Sequence, residues 1–163
     1  GDPFVTAGPA WATLSNTPFR NHKQTNYEGG ISSPLIAWWP GVVKAGQMTT
    51  EVSHITDITA TVFDVASQTY PTTFDDRVVT PLAGKSLLQV LKGDTQAGHE
   101  SLCWATSGHK AVRMANWKLV AEPKGKWQLY DLNEDRAETR DLATLHPERV
   151  AGMAKVFEHW HQH

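Results

Sequence analysis

The fold of this chain is decided by the stretch Ser101-Leu-Cys-Trp-Ala-Thr-Ser-Gly-His-Lys-Ala-Val-Arg-Met-Ala-Asn-Trp-Lys-Leu-Val-Ala-Glu122. Three short hydrophobic runs follow one another here, and a fourth comes after the next turn. The connectors hold only a few residues and contain glycine, asparagine or proline, which favour turns. Parallel strands need crossovers of a dozen or more residues, so connectors this short predict antiparallel hairpins. We predict four strands, at 101–106, 110–115, 117–122 and 127–132.

A C-terminal helix is predicted from Pro147 to about Gln162. Proline suits the first helical position, because its missing N–H would have no partner there. Apolar residues recur downstream at helical spacing and form one stripe, made of Val150, Met153, Ala154, Phe157 and Trp160. We expect the stripe to cover the sheet face that carries Trp117 and Leu119, which gives an α+β fold. A charged outer sheet face is our interpretation of Arg113, Lys118 and Lys124.

The upstream half predicts a loop, a strand and two helices. Residues 1–33 are rich in glycine, proline and small polar residues, and are interpreted as loop. The apolar run at 34–39 is bounded like a buried strand, and its tryptophans, Trp38 and Trp39, are assigned to core packing. Residues 53–67 predict a helix with Ser53 as N-cap and an apolar stripe of Ile55, Ile58, Val62 and Val65. A loop at 68–84 and a short helix ending at Gly93 follow.

Composition excludes several classes of function. The 163 residues suit one domain, or a small domain with an appendage, and 40% hydrophobic content predicts a folded core. The net charge of −2 gives no reason to expect nucleic-acid binding. No apolar run approaches the roughly 20 residues that a membrane span needs. The single cysteine, Cys103, lies in an apolar run and is interpreted as a buried structural thiol.

A polar loop, Phe19-Arg-Asn-His-Lys-Gln-Thr-Asn-Tyr-Glu-Gly-Gly30, carries the candidate functional residues. It sets Arg20 and Lys23 ahead of a glycine pair that permits tight backbone turns. Cations held in such a loop suit an anionic ligand. On chemistry alone, however, a solvated surface charge is the better interpretation of Lys23, because lysines are rarely buried and most surface charges do nothing specific.

The sequence pattern around Lys23 reverses that interpretation. Phe-Arg-x-x-Lys, then Tyr-Glu-Gly-Gly, then Ser-Pro-Leu-Ile-Ala-Trp-Trp-Pro-Gly resembles the sulfatase family, in which the corresponding lysine contacts the substrate's sulfate. The segments at 52–61, 84–93 and 127–143 resemble the family in the same order, although Ala60, Arg136 and Asp141 replace its usual proline, proline and asparagine. All these segments match the family's C-terminal part. By this resemblance, Lys23 is the sulfate-contacting residue.

The resemblance also implies a parent enzyme, a sulfuric ester hydrolase that uses formylglycine and calcium to cleave sulfate monoesters. This chain has no Cys/Ser-x-Pro/Ala-x-Arg motif and neither of the family's acidic calcium motifs. We therefore assign it no cofactor and no metal ligand, and expect the chain alone to be inactive. Loop support is expected from Arg20, Glu28, Gly29 and Gly30, with Arg20 paired to Glu28. The substrate-proximal candidates are His22 and His54.

Residues 1–67 are interpreted as a remnant of the catalytic domain, consisting of loop, strand and helix, and residues 68–163 as the family's C-terminal subdomain. A strand without sheet neighbours exposes core surface, so we expect self-association. The resemblance implies a sulfated small molecule or glycan as substrate, and a periplasmic or secreted location. The terminal histidines, His159 and His163, are not assigned a metal, because frayed termini bind metals poorly.

Two other functions stay open at the level of the sequence. The parent could be a phosphodiesterase or phosphonate hydrolase of the same superfamily, since these enzymes and sulfatases bind an anionic group and a metal in similar ways. The chain could instead be a non-catalytic module that binds glycans or assembles with another subunit through its tryptophans. Comparing the cleavage of sulfate and phosphate esters by the full-length enzyme tests the first alternative. Glycan binding by the isolated chain would support the second.

Overall fold

A computed structural model describes residues 8–162 of the chain. The chain divides into two compact units: one consists of the described residues up to Pro34 and from Glu100 onward, and the other is Leu35–His99. The sequence-based boundary at 67/68 concerns the domains of a parent protein and stays a prediction. None of the helices in the described part is long and apolar enough to span a membrane.

The elements follow in a mixed order along the chain. They are α1 (Gly8–Ser15), α2 (Glu28–Ile31), α3 (Thr56–Val65), β1 (Thr73–Phe74), β2 (Arg77–Val78), α4 (Leu88–Lys92), β3 (Leu102–Thr106), β4 (His109–Met114), β5 (Trp117–Ala121), β6 (Gln128–Asp131) and α5 (Pro147–Gln162).

Strands β3 to β6 form one antiparallel sheet in the order in which they occur in the sequence. Each strand begins and ends within one residue of its predicted bounds, and α5 begins at the predicted proline. The predicted α+β fold, a four-stranded antiparallel sheet with a C-terminal helix, is therefore confirmed. The first hairpin turns at Ser107 and Gly108, which both have positive φ, the geometry that suits the twist of the flanking strands.

Both faces of this sheet are covered, because successive residues of a strand point to opposite sides. The face toward α5 is apolar, and its buried members are Val112, Leu119, Leu129, Met153 and Phe157. The opposite face packs against the segment just before α2, and its buried members are Tyr27, Ala111, Val120, Tyr130 and Leu132. The predicted contact between the helix stripe and the sheet is confirmed, except that Trp160 stays 46% exposed.

The upstream predictions need correction. Residues 1–33 are not all loop, since α1 and α2 lie among the described ones. Residues 34–39 form no strand, and Ile36 and Trp38 are about nine-tenths exposed, so the core role given to Trp38 is wrong here. A strand needs a hydrogen-bonding partner, and this segment pairs with no described strand.

The second unit also departs from the sequence pattern. Helix α3 forms, but its apolar stripe is exposed rather than buried, with Ile58 at 43% and Val62 at 60%. Instead it buries Asp57 and Ala60. Ser53 is not the N-cap: the Asp57 carboxylate accepts from the backbone N–H of His54 at 2.7 Å. The predicted loop at 68–84 contains a small hairpin, β1–β2.

Candidate functional site

The candidate loop joins α1 to α2 and is closed at its base. The backbone N–H of Gly29 donates to the carbonyl oxygen of Arg20 at 2.9 Å. Lys23 and Gln24 are exposed at the tip, whereas residues 26–28 are buried. Within residues 8–162, no hydrogen bond or ion pair engages the Lys23 ammonium. The loop thus presents the Lys23 ammonium to solvent.

Arg20 supports the loop, although not through the expected partner. Its Nη1 donates to the phenol oxygen of Tyr130 at 3.0 Å and to the carbonyl oxygen of Glu138 at 3.1 Å. The guanidinium also lies 4.2 Å from the ring centroid of Tyr27, a favourable cation–π distance. The predicted pairing of Arg20 with Glu28 is wrong, because the Glu28 carboxylate contacts Lys118 instead.

Two residues after the tip attach the loop to the sheet. Asn26 is buried, and its Nδ2 donates to the carbonyl oxygen of Trp104 at 3.1 Å. Tyr27 is fully buried, and its hydroxyl bonds to the Gln128 side chain. Burial raises the pKa of the Tyr27 phenol well above its usual range, since the phenolate would lose its hydration. Tyr27 is therefore a neutral packing group, as predicted.

Glu28 belongs to a buried ion cluster, which consists of Glu28, Lys118 and Glu138. The Nζ atom of Lys118 lies 2.9 Å from Oε1 of Glu28 and 2.9 Å from Oε1 of Glu138. The backbone N–H of Glu28 donates to Oε2 of Glu138 at 2.6 Å. Arg136 approaches Glu28 at 3.7 Å from the exposed side. All three cluster residues are no more than 2% exposed.

The position of Lys118 corrects the sequence analysis, which placed it on a charged outer face. The sheet is covered on this side by the segment before α2, so Lys118 is buried beneath that segment. Its cross-strand neighbours are Arg113 and Tyr130. Burial lowers the pKa of the Arg113 guanidinium and raises that of the Tyr130 phenol. Charges here are thus held in a low-dielectric layer between loop and sheet.

Burial also raises the pKa of the Glu138 carboxyl above its ordinary value, and the nearby Lys118 charge offsets only part of this effect. The same carboxyl accepts the Glu28 N–H, an interaction that favours the charged form. Glu138 therefore sits where desolvation and ion pairing oppose each other.

The glycine pair acts by close approach rather than by backbone freedom, since neither residue has positive φ. A Cβ at Gly29 would lie 2.2 Å from the carbonyl oxygen of Asn21. A Cβ at Gly30 would lie 2.1 Å from the carbonyl oxygen of Thr25. Real Cβ atoms do not approach oxygen so closely, so any larger residue would push the loop away from α2.

The remaining candidates are distributed between the two units. His22 lies in the loop, half-buried, with Nδ1 3.1 Å from the Thr13 hydroxyl. His54 belongs to the second unit, where Nδ1 lies 2.9 Å from the Thr56 hydroxyl. Cys103 is half-buried against the α5 side of the sheet, and burial raises the pKa of its thiol to about 11. The low thiolate content argues against a nucleophilic role.

Residues 8–162 contain no group of three or more histidine, cysteine, aspartate or glutamate side chains placed to hold a metal ion. Of the two terminal histidines, His163 lies outside the described residues. The side chains of residues 8–162 therefore offer no set of ligands that fits a calcium ion.

Sequence reasoning missed Lys118, Tyr130 and Glu138 as supports of the loop. A signal did exist for Lys118, because strand alternation places it opposite Trp117 and Leu119, on the face of the apolar Val120. Both faces of β5 therefore carry apolar residues, which is typical of a strand covered on both sides. No local signal identifies its partner, which lies 90 residues away.

Comparison with known proteins supplies the family. The family model described as N-sulphoglucosamine sulphohydrolase, C-terminal, matches residues 20–158. The chain belongs to the sulfatase family. The matched range begins at the loop arginine and runs into α5, so it contains the loop, the ion cluster and the four-stranded sheet of this sulfatase chain. It corresponds to the family's C-terminal portion.

Individual relatives agree with this assignment. An uncharacterized sulfatase of Schizosaccharomyces pombe is 30% identical over 164 residues, which cover 96% of this chain and 29% of that protein. A solved 6S-sulfatase structure from work on glycosaminoglycan metabolism by Bacteroides thetaiotaomicron has a TM-score of 0.71 and 25% identity, covering 89% of this chain and 32% of that one. The sulfatase chain thus spans about a third of the length of these relatives.

A third structure contains a bound sugar. It is a complex with D-glucosamine-2-N,6-O-disulfate, named as the substrate of that protein, at a TM-score of 0.56 and 18% identity, covering 76% of this chain and 27% of that chain. At this identity the likeness shows a shared fold.

Proposed function

We propose that this chain is the C-terminal part of a sulfatase that hydrolyses sulfate monoesters, and that Lys23 binds the sulfate group of the substrate. One observation carries the proposal: an exposed ammonium without a partner among residues 8–162 stands at the tip of a loop whose two ends are fixed to the sheet.

The chemistry of sulfate-ester cleavage calls for such a group. Negative charge grows on the sulfate oxygens and on the leaving oxygen as the S–O bond breaks, and fixed cations stabilise it. A lysine ammonium offers three donors on a compact charge, which suits the oxygens of a tetrahedral anion. Because the loop is already held in place, little reorganisation is needed when charge develops.

The remaining machinery is proposed to lie outside this chain. In the sulfatase family the resemblance implies formylglycine as nucleophile and calcium as its electrophilic partner. The sequence has no motif for the first, and the described residues have no ligand cluster for the second. We therefore derive no step through either group here, and expect the chain alone to have no sulfatase activity.

The substrate class that we propose is a sulfated sugar. The matching family model is described by the desulfation of an amino sugar, and one structural relative is solved with a disulfated glucosamine as its substrate. Lys23 is proposed to contact the sulfate alone, so the sugar would be selected by other groups.

The test uses the full-length protein that carries this chain. Lys23→Ala should lower kcat for a fluorogenic aryl sulfate about a hundredfold or more, because it removes a charge that acts on the transition state. Lys126→Ala removes another exposed lysine, from the β5–β6 connector, and should leave kcat unchanged. Near-normal turnover of the Lys23 variant would exclude Lys23 from the site.

A second assay tests whether the nucleophile lies outside this chain and which ester the full-length protein prefers. The isolated chain should give no turnover above background, and clear turnover would refute the proposal that the nucleophile lies elsewhere. In the full-length protein, sulfate monoesters should be cleaved faster than matched phosphate esters. The opposite preference would favour the phosphoryl-hydrolase alternative.

A further inference from the structure

Glu138 contacts both ends of the candidate loop. Its carbonyl oxygen accepts from Arg20 Nη1 at 3.1 Å, three residues before Lys23. Its carboxylate accepts from the backbone N–H of Glu28 at 2.6 Å, five residues after Lys23. One residue in the segment after β6 thus contacts both stems of the loop and fixes the distance between them.

Further contacts reinforce both stems. Tyr130 accepts a second bond from Arg20 at 3.0 Å, and the Arg20 guanidinium covers the Tyr27 ring. Lys118 contacts Glu28 and Glu138 at 2.9 Å each, so it holds the two carboxylates together beneath the loop. Between these stems, the tip turns through Asn21 and Gln24, which both have positive φ.

Glu138 also has a backbone conformation that glutamate rarely adopts, with φ at 56°. Left-handed geometry is unfavourable for a non-glycine residue and persists only where the surroundings impose it. The side chain is fully buried, although burying a carboxylate is itself unfavourable. The left-handed backbone and the buried carboxylate are both unfavourable, and both occur at the residue that joins the two stems.

We propose that Glu138, together with Lys118, is a positioning residue that holds Lys23 at a fixed place and height above the sheet for sulfate binding. The inference rests on the proposed function of Lys23. It adds that the four-stranded sheet of the C-terminal portion takes part in catalysis indirectly, as the rigid base of a substrate-binding loop. Glu138 touches no substrate in this scheme and acts only through the loop.

A double-mutant cycle in the full-length protein tests the proposal. Glu138→Ala should lower kcat/KM for an aryl sulfate about tenfold when Lys23 is present, and less than twofold when Lys23→Ala is already in place. Glu138→Gln should recover part of the loss, because its amide oxygen can still accept the Glu28 N–H. Glu134→Gln, at an exposed position in the same acidic loop, is the matched control and should have no effect.

The outcomes are separable. An equal loss in both Lys23 backgrounds would mean that Glu138 serves folding alone, and would overturn the inference. Normal activity of Lys23→Ala would instead overturn the proposed function. If Glu138→Ala fails to fold, Tyr130→Phe replaces it in the same cycle, since it deletes only the oxygen that contacts Arg20. An absent or background-independent effect of Tyr130→Phe would then overturn the inference.

Discussion

Lys118 donates a hydrogen bond from its ammonium to the Glu28 carboxylate across 2.9 Å, and neither side chain is more than 3% exposed. The two residues lie 90 positions apart in the sequence, so the bond ties the loop before α2 to strand β5. A buried ion pair contributes little net stability compared with a well-packed apolar pair, yet it is costly to break. Its main effect is therefore to fix where the loop lies.

Lys118→Met should destabilise the unit that contains the sheet by about 3–5 kcal/mol, because it leaves two buried carboxylates without their cation. Urea unfolding followed by tryptophan fluorescence measures the change. Lys126→Met alters an exposed lysine and should change the free energy of unfolding by less than about 0.5 kcal/mol. A loss below about 1 kcal/mol for the Lys118 variant would show that the carboxylates find other partners.

The cluster also predicts a pH dependence. The pKa of the Glu138 carboxyl is raised on folding, so the folded state holds its proton more firmly than the unfolded state does. The stability contributed by this group is then fully present below its ordinary pKa of 4.5 and is lost as the pH rises through the folded pKa. Glu138→Gln removes that loss.

The free energy of unfolding of Glu138→Gln should accordingly increase relative to that of the unsubstituted protein as the pH rises from 4.5. Urea melts at a series of pH values measure it, with Glu134→Gln as the control that should run parallel to the parent sequence. A flat difference, or one with the opposite slope, contradicts the raised pKa.

Two glycines in helical backbone should respond in opposite directions to alanine. Gly29→Ala would place its Cβ 2.2 Å from a backbone oxygen, so the loop must move, at a cost of about 1–3 kcal/mol. Gly152→Ala in α5 meets no atom within 4 Å and should stabilise by about 0.5–1 kcal/mol. Thermal unfolding distinguishes them, and equal shifts would mean that the approach of the loop to α2 is not tight.

The β4–β5 hairpin turns at Ala115 and Asn116, and of the two only Ala115 has positive φ, at 50°. Two-residue hairpin turns with this pattern prefer glycine at the first position. Ala115→Gly should therefore stabilise by about 0.5–1 kcal/mol. Ala105→Gly, on an exposed strand position without positive φ, is the contrasting control and should destabilise. Destabilisation by both variants would reject the turn geometry.

The exposed stripe on α3 leads to a prediction about the isolated chain. Ile58 and Val62 lie one helical turn apart and are both largely exposed, so we expect the chain to self-associate through them. Val62→Lys should shift the population toward monomer in sedimentation velocity. Thr59→Lys adds the same charge elsewhere on the helix and should have a smaller effect. If the isolated chain without substitutions is monomeric at high concentration, this expectation is contradicted.

The sheet and α5 could be predicted because their signals are local. Short turn-forming connectors specify hairpins, and a helical stripe that begins at Pro147 specifies a helix. The strand predicted at 34–39 failed for the opposite reason, since a strand depends on a partner that a local pattern does not reveal. Residues 75 and 76 lie in the segment 68–84 that the sequence predicts to be a loop, and they form the turn of the β1–β2 hairpin.

The candidate site likewise contains a residue with a local sequence signal and residues without one. Lys23 was found through the motif around it, and its exposure at the loop tip agrees with that hypothesis without testing its role. The supports of the loop could not be found, because they come from positions about 90–118 residues away. Pairing over such distances depends on the register of β5 and on the path of the chain after β6, and neither is visible in a short window of sequence.

The separation of 110 residues between Glu28 and Glu138 has a consequence for biosynthesis. A ribosome that has just completed the loop still has to make all four sheet strands before the carboxylate that receives its N–H exists. At about 5–20 residues per second, that interval lasts roughly 5–20 s. Throughout it the nascent loop lacks its base, so chaperones that recognise extended, unpaired chain would meet this segment before its own sheet does.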